Sequence, residues 1–291
     1  MKDLRPEGAR VTMEMIGSRS EVRRLAWHEN EAMLYAIGVG AGLGDPESDL
    51  AYTTENTAGI TLRALPSFLT ILTQGNRPPA MRNLDYGRFL HAQQTIELPR
   101  PLAPSGEGWL RNEIVEVLDK GANAIITTLA TLSGDEQGEN VIGQSRMSTF
   151  VRGGGGFGGP RGTARPQAKP DREPDCRVAY GTRPEQALIY RLSGDGHRLH
   201  SDPAFARERG FERPILHGLS TYGFACRAII SGTAGGDAHR LRAMSGRFCK
   251  PVYPGDTLVT EIWLLAGGHL YFRMLDGGGD AVIDSGQAKL F

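Results

Sequence analysis

The sequence predicts an α+β protein in which one unit, a helix followed by an antiparallel sheet wrapped around it, is used twice. Three observations lead there. The chain has 291 residues, enough for one large or two modest domains. Its strand-like stretches fall into sets separated by turn residues, with helical stretches ahead of each set. The halves also echo one another. Pro104-Ser105-Gly106-Glu107-Gly108-Trp109-Leu110 with Glu113-Ile114 is answered by Pro254-Gly255-Asp256-Thr257-Leu258 with Glu261-Ile262. In both halves a turn, a returning strand and a last strand follow, Val141-Ile142-Gly143-Gln144 against Val282-Ile283-Asp284-Ser285.

Taken in order, residues 1–21 are polar and irregular and read as a mobile or loosely docked arm. From Trp27 the pattern turns helical, with Met33, Leu34 and Ile37 at helical spacing across 28–38. Gly38-Val39-Gly40-Ala41-Gly42 stops that helix. It is no dinucleotide-binding loop, because no strand precedes it and the glycine spacing is wrong. Residues 49–55 read as a short edge-like segment and 65–72 as a second apolar stretch. Residues 89–98 alternate as a strand does and contain His91-Ala92. Residues 109–121 run as a strand into a hairpin turn, 124–132 return, and 141–151 form a further strand. The glycines of 152–160 read, on composition alone, as a flexible connector, and 166–174 mix Pro, Lys, Arg and Glu as a linker does. An apolar-containing approach at 183–193 opens the second half. A helix is expected at 202–209 and a buried one at 219–230, where Gly223 and Ala225 permit close packing. Strands at 244–251, 257–265, 269–275 and 281–290 close the chain. The expected division is an N-terminal repeat at 1–160, a linker at 161–180 and a C-terminal repeat at 181–291.

Composition excludes several classes of function. Lysine plus arginine number 33 and aspartate plus glutamate 33, so the formal net charge is zero. That argues against a large basic surface and a nucleic-acid partner. No apolar run reaches the roughly 18 residues of a spanning helix, and the N-terminal residues lack the apolar core of a signal peptide. No membrane partner is expected. Cys176, Cys226 and Cys249 are odd in number and far apart, with neither metal-ligand spacing nor a disulfide framework. They read as reduced thiols, Cys226 and Cys249 as packing residues.

The chemistry-bearing residues concentrate between Tyr190 and Gly223. Asp195 and His200 lie five positions apart across a turn of small and polar residues. Ser201 or Asp202 then suits an N-cap and Pro203 the first helical position. A carboxylate, an imidazole and a helix N-terminus brought together can activate a water. On residue types alone an ordinary strand–turn–helix junction, with a capping Asp and a surface His, fits as well. His217 reads as a residue that structures the turn before Gly218, and His28, His239 and His269 as surface or turn histidines. Only the second half carries the Asp195…His200 turn.

The stretch Tyr190-Arg191-Leu192-Ser193-Gly194-Asp195-Gly196-His197-Arg198-Leu199-His200-Ser201-Asp202-Pro203 resembles the (R)-specific 2-enoyl-CoA hydratases, also called hydratase 2 or MaoC-like hydratases. It is similar in particular to their double-hot-dog form, which also occurs as the hydratase part of peroxisomal multifunctional enzyme type 2. The family pattern Tyr-Arg-Leu-Ser-Gly-Asp-x-Asn-x-Leu-His-x-Asp-Pro is kept except at the Asn, where this chain has His197, preceded by Gly196. The resemblance extends over nearly the whole chain. It takes in Tyr35-Ala36-Ile37-Gly38-Val39-Gly40-Ala41 with Asp49-Leu50, Leu65-Pro66-Ser67-Phe68, Leu90-His91-Ala92 and Leu118-Asp119-Lys120-Gly121. It continues through the glycines of 153–159, His217-Gly218-Leu219-Ser220-Thr221-Tyr222-Gly223 and Arg247-Phe248-Cys249-Lys250-Pro251.

The resemblance implies a double hot-dog fold: two helices, each wrapped by an antiparallel β-sheet, with the sheets joined edge to edge, in a homodimer. It implies syn addition of water to a trans-2-enoyl-CoA, giving a (3R)-3-hydroxyacyl-CoA, with an acyl-CoA as the partner and neither metal nor organic cofactor. Asp195 and His200 are then the water-handling pair, and Gly218 donates its backbone N–H to the thioester oxygen. His91, Ala92, Lys120, Gly196 and Phe248 stand at substrate-contacting positions. His197 either orients the pair as the family's Asn would or adds a titrating group. The glycine stretch 153–159 should be an ordered loop. Other readings are a MaoC-like dehydratase for an unusual thioester (steroid side chain, branched or polyketide) and a non-catalytic acyl-CoA-binding relative. A bacterial source implies the cytoplasm, a eukaryotic one the peroxisome.

Overall fold

A computed structural model describes residues 10–162 and 167–291; the first nine residues of the expected arm and part of the expected linker lie outside this range. Ten strands form one antiparallel sheet: β1 (Arg23–Trp27), β2 (Phe89–Glu97), β3 (Gly106–Lys120), β4 (Asn123–Ser133), β5 (Val141–Val151), β6 (Cys176–Gly181), β7 (Leu241–Phe248), β8 (Thr257–Leu264), β9 (His269–Leu275) and β10 (Ala281–Leu290). Their order is β1-β3-β4-β5-β2-β7-β10-β9-β8-β6. Each half therefore contributes five strands in the same internal order, and the halves meet edge to edge along β2 and β7. The seam runs from Gln93↔Arg247 to Glu97↔Ala243. This is the double hot-dog arrangement, and it explains the sequence echo: the turns before β3 and β8 occupy equivalent places. Alternation in β3, β4 and β8 sends Leu110, Ile114, Ile126, Leu132, Leu258 and Ile262 inward, where all are buried.

The helices lie against the concave face. α1 (Glu29–Gly38) starts where the Glu31 carboxylate accepts from the His28 N–H at 2.7 Å. It ends before Gly40, whose φ of +81° suits glycine and where a Cβ would lie 2.4 Å from the Phe224 ring. The central helix of the second half, here called α6 (Gly218–Thr233), is buried from Leu219 to Ile230. Gly223 lets it pass close to α1, since a Cβ there would come 2.3 Å from Val39. Its counterpart in the first half is much shorter, a 3-10 turn at Pro66–Phe68 followed by α3 (Leu69–Leu72). Between α1 and α3, residues 49–55 were expected at an edge but form the turn α2 (Leu50–Thr53). The reason is a buried ion pair, absent from any local pattern. Asp49 accepts from the Gly42 N–H and from Arg227 of α6 at 2.6 Å, and Arg227 also donates to the Val39 carbonyl.

Two further differences sit at the sheet edges. The described part of the arm is docked: Val11 and Met15 pack with Ile114, Val117, Ile126 and Val151, and Arg19 bridges Glu113. It leads into β1, paired with β3. In the second half Cys176–Gly181, all but the last residue of which fell within the expected linker 161–180, is β6 on the edge of β8. Ahead of it the Trp263 indole N–H donates to the Arg172 carbonyl, and the Leu264 N–H to Asp175. Cys226 is a core residue as expected. Cys249 is exposed, because it lies just past the end of β7.

Candidate active site

The turn that carries Asp195 and His200 is built in three short pieces. α4 (Gln186–Tyr190) runs into a 3-10 turn at Arg191–Ser193 and stops at Gly194, whose φ of +129° is a glycine conformation. Asp195 follows, then Gly196 and a second 3-10 turn at Arg198–His200. His197 caps that turn: its Nδ1 accepts from the Leu199 N–H at 3.3 Å, and its own N–H donates to Asp195 Oδ1 at 3.2 Å. Asp202 caps the next helix, α5 (Pro203–Glu208), by accepting from Ala204 and Phe205. It also pairs with Arg198 at 2.6 Å. Caps thus fix both sides of His200.

His200 Nδ1 lies 2.9 Å from the Ile215 carbonyl oxygen. A carbonyl only accepts, so Nδ1 carries the proton and Nε2 keeps its lone pair. Burial lowers the His200 pKa, outweighing the hydrogen bond and the Asp195 charge that act the other way. The ring is therefore neutral near pH 7, with a basic nitrogen available. One polar side-chain atom each of Asp195, His200 and His217 lie within 4.8 Å of one another. Such a trio has donor types suited to a metal. The His200 and His217 rings, however, are stacked at 3.7 Å and 25°, so their lone pairs run side by side, away from a common centre. The arrangement suits proton handling.

Gly218 is the first residue of α6, and N–H groups of the first helical turn have no intrahelical acceptor. They point out of the helix at its positive end, a place for developing negative charge. A Cβ on Gly218 would stand 3.4–3.6 Å from the Phe248 ring, an ordinary contact. The protein alone does not exclude a side chain there. His91 meets Phe248 edge-on at 4.8 Å. Burial pushes its pKa down to about 4, against the opposing influence of Asp195. Its Nε2 is buried without a hydrogen-bond partner. Ala92 is the extra residue of a bulge between β2 and β5, and pairing of β2 with β7 begins only after it. The two half-sheets thus separate where His91, Phe248 and Gly218 meet.

Of the residues singled out from sequence, the fold brings together Asp195, His197, His200, Gly218, His91, Ala92 and Phe248. Gly196 is exposed on the turn with open space around it. Lys120 ends β3, three strands from β2, roughly 14 Å across the sheet at normal strand spacing. It donates to the Arg161 carbonyl. Neighbouring Asp119 accepts from the N–H groups of Gly121, Gly156 and Gly158, which folds the glycine stretch into an ordered loop beside Lys120. Sequence reasoning underrated His217 and Tyr190. His217 is buried between Tyr190 (4.8 Å) and His200, and its Nε2 is 3.0 Å from the Asp195 carbonyl. The apolar Ile215-Leu216 ahead of it was the available signal of burial. Two surface depressions, of about 240 and 740 Å³, lie elsewhere and are lined by none of the candidate residues.

Residues 26–153 match the family described as MFE-2 hydratase 2 N-terminal domain, and residues 164–275 the MaoC like domain. The chain is 42% identical to 3-hydroxyacyl-thioester dehydratase Y of Mycobacterium tuberculosis, covering 94% of this chain and 96% of that one. It is 37% identical to the peroxisomal enoyl-CoA hydratase 2 of Arabidopsis thaliana, over 83% of each. Among solved structures, a MaoC-like dehydratase from Phytophthora capsici superposes with a TM-score of 0.84 at 29% identity, covering 97% of this chain and 98% of that one. With both halves matched in order and full-length relatives at this identity, the chain belongs to the MaoC-like hydratase 2 family.

Proposed function

We propose that this protein is an (R)-specific 2-enoyl-CoA hydratase, a hydro-lyase that adds water to a trans-2-enoyl-CoA to give a (3R)-3-hydroxyacyl-CoA. The observation that carries the reading is that His200, with its Nδ1 committed to the Ile215 carbonyl, has a ring nitrogen within 4.8 Å of an Asp195 carboxylate oxygen, beside the residue that precedes α6. Water held between Asp195 and His200 gives a proton to Nε2 as its oxygen bonds to C3 of the enoyl group. The electron pair of the C2–C3 double bond moves to the thioester oxygen, where the Gly218 N–H stabilises the growing charge. A well-placed donor of this kind contributes about 2.7–4 kcal/mol. The proton taken up by His200 then passes to C2, directly or by way of the Asp195 carboxylate, as the enolate electron pair forms the C2–H bond. Water has added across the bond, with both new bonds made from the face where the pair stands.

His91, Ala92 and Phe248 line the acyl thioester where the half-sheets part. Lys120, with the glycine loop beside it, meets the distal part of CoA as a point charge, and Gly196 leaves room at the turn. The N-terminal repeat then binds substrate while the C-terminal one carries the chemistry. His197 serves as the cap its Nδ1 makes, taking over the orienting part of the family's Asn. Run backwards, the same groups dehydrate a 3-hydroxyacyl thioester, the activity named for the Mycobacterium tuberculosis relative. An unusual acyl chain is the second reading this supports. We place the protein in the peroxisome if its source is eukaryotic and in the cytoplasm if bacterial, as a homodimer. No helix of the described residues is long and apolar enough to cross a membrane.

The test is a series of trans-2-enoyl-CoA substrates of rising length. Loss of the enoyl thioester absorbance and (3R) product are expected. Acyl-CoA binding without turnover would instead make the protein a non-catalytic relative.

A further inference from the structure

We propose that His217 is a positioning residue that holds Asp195, His200 and the Gly218 N–H in one geometry, and that it does so as a neutral ring carrying its proton on Nε2. The proposal rests on the hydratase reading for its kinetic part only.

Three contacts carry it. His217 Nε2 is 3.0 Å from the Asp195 backbone carbonyl, an acceptor, so Nε2 must donate. This bond pins the peptide that bears the Asp195 carboxylate, which Gly194 and Gly196 would otherwise leave free to swing. The second contact is the stack. His217 lies on one face of His200 at 3.7 Å, while the Ile215 carbonyl holds the His200 edge. A ring fixed at one face and one edge aims its remaining nitrogen in one direction. The third contact is covalent, because His217 directly precedes Gly218. The His217 carbonyl accepts from both the N–H and the hydroxyl of Thr221, anchoring it to the first turn of α6. A displacement of the His217 backbone therefore moves the Gly218 N–H as well. Tyr190 backs the ring from the other side at 4.8 Å.

A protonated His217 would face a second cation whenever His200 takes up a proton. Burial and the His200 charge both push its pKa down. The titratable groups acting on this pair are Asp195 and His197 from the turn, with Tyr190 from α4 against His217. From β2, His91 feels the same Asp195 charge.

Three variants separate the donor from the stack. His217→Phe keeps a ring against His200 but cannot donate. It should lower kcat by tenfold or more, leave KM within about threefold and leave the acid limb of the pH profile in place. His217→Gln can donate to Asp195 but does not cover His200. Solvated His200 then titrates closer to 6.5, so the acid limb should move to higher pH, with kcat above that of the Phe variant. His217→Ala should show both defects. Nitrogen-15 spectra of the histidine rings provide a readout that needs no activity: at neutral pH His217 should be the Nε2–H tautomer and His200 the Nδ1–H tautomer. If wild-type protein fails to hydrate any enoyl-CoA, the functional reading falls while the tautomers still judge this proposal. A His217 ring protonated on Nδ1, or Phe and Ala variants that keep kcat within twofold with an unmoved acid limb, would overturn it.

Discussion

His200 can act as a base because two carbonyl oxygens, of Ile215 and Asp195, each commit one nitrogen of the stacked pair and leave the His200 Nε2 bare. Replacing His200 or Asp195 with Ala should reduce kcat/KM by about 10²–10⁴, the usual worth of positioned acid–base groups. Variants that hydrate as fast as wild type would refute the assignment. Because the His200 pKa is lowered, its neutral form persists below pH 6.5, and the acid limb of kcat/KM should fall below that value. His197→Asn should leave activity within about tenfold, or about 1.4 kcal/mol of barrier, since Asn can make the same cap. Complete loss would show that the His197 ring does more than cap. His91 and His217 also act on stability. Both are held below the ordinary histidine value by burial, His91 at about 4. Between pH 6.5 and about 4 the unfolded chain binds more protons than the folded one, so stability present above pH 6.5 is lost as pH falls. The urea midpoint should drop between pH 7 and 5, and less steeply in His91→Leu.

Among the elements, the glycine loop and α6 depend on single buried or tethering side chains. Asp119 gathers three backbone N–H groups, which also hold its carboxyl below the usual range. Gly155 shows why the loop needs glycine, for a Cβ there would lie 2.1 Å from the Asn123 carbonyl oxygen. Asp119→Ala should release the loop, seen as new proteolytic cleavage within 153–159; an equally resistant variant would contradict the tether. Composition alone read this stretch as a connector. Its order comes from Asp119, more than 30 positions away, and only the family resemblance pointed to it. The Arg227–Asp49 pair binds α6 to the first half, with Arg227 only 5% exposed. Removing Arg227 leaves the partly exposed Asp49 carboxylate without its partner, so Arg227→Ala should destabilise the protein by about 1–3 kcal/mol in chemical denaturation. A loss below about 1 kcal/mol would show that the site rehydrates freely.

For the whole molecule, the seam between β2 and β7 makes one sheet of two repeats, and one apolar cluster runs from Trp27 to Leu290 through both. The halves should therefore unfold together, with tryptophan fluorescence and far-ultraviolet circular dichroism tracing one transition. Two separated transitions would mean that the repeats are independent. The repeats are also unequal in a way that matters for function. The short α3 is the counterpart of the sixteen-residue α6, and of these two helices α6 is the one that presents its start beside the Asp195–His200 turn.

The sequence by itself determined eight of the ten strands, β2–β5 and β7–β10, the two-fold use of one unit, and the Asp195…His200 turn with the Asp202 cap that follows it. These depend on alternation, turn chemistry and capping, which act over a few residues. It misread residues 49–55, the β6 edge and Cys249, and it showed neither how firmly the arm docks nor what the His217 ring touches. Cys249 is exposed for a local reason, one residue past the end of β7. For residues 49–55, β6 and the arm the deciding partner is distant in the chain: Arg227 for Asp49, β8 for β6, β3 for the arm. For His217 it is the fold that closes α6 over the turn. Tertiary structure decided these because burial, ion pairing and ring stacking act through space, and only folding brings a histidine at 217 onto one at 200.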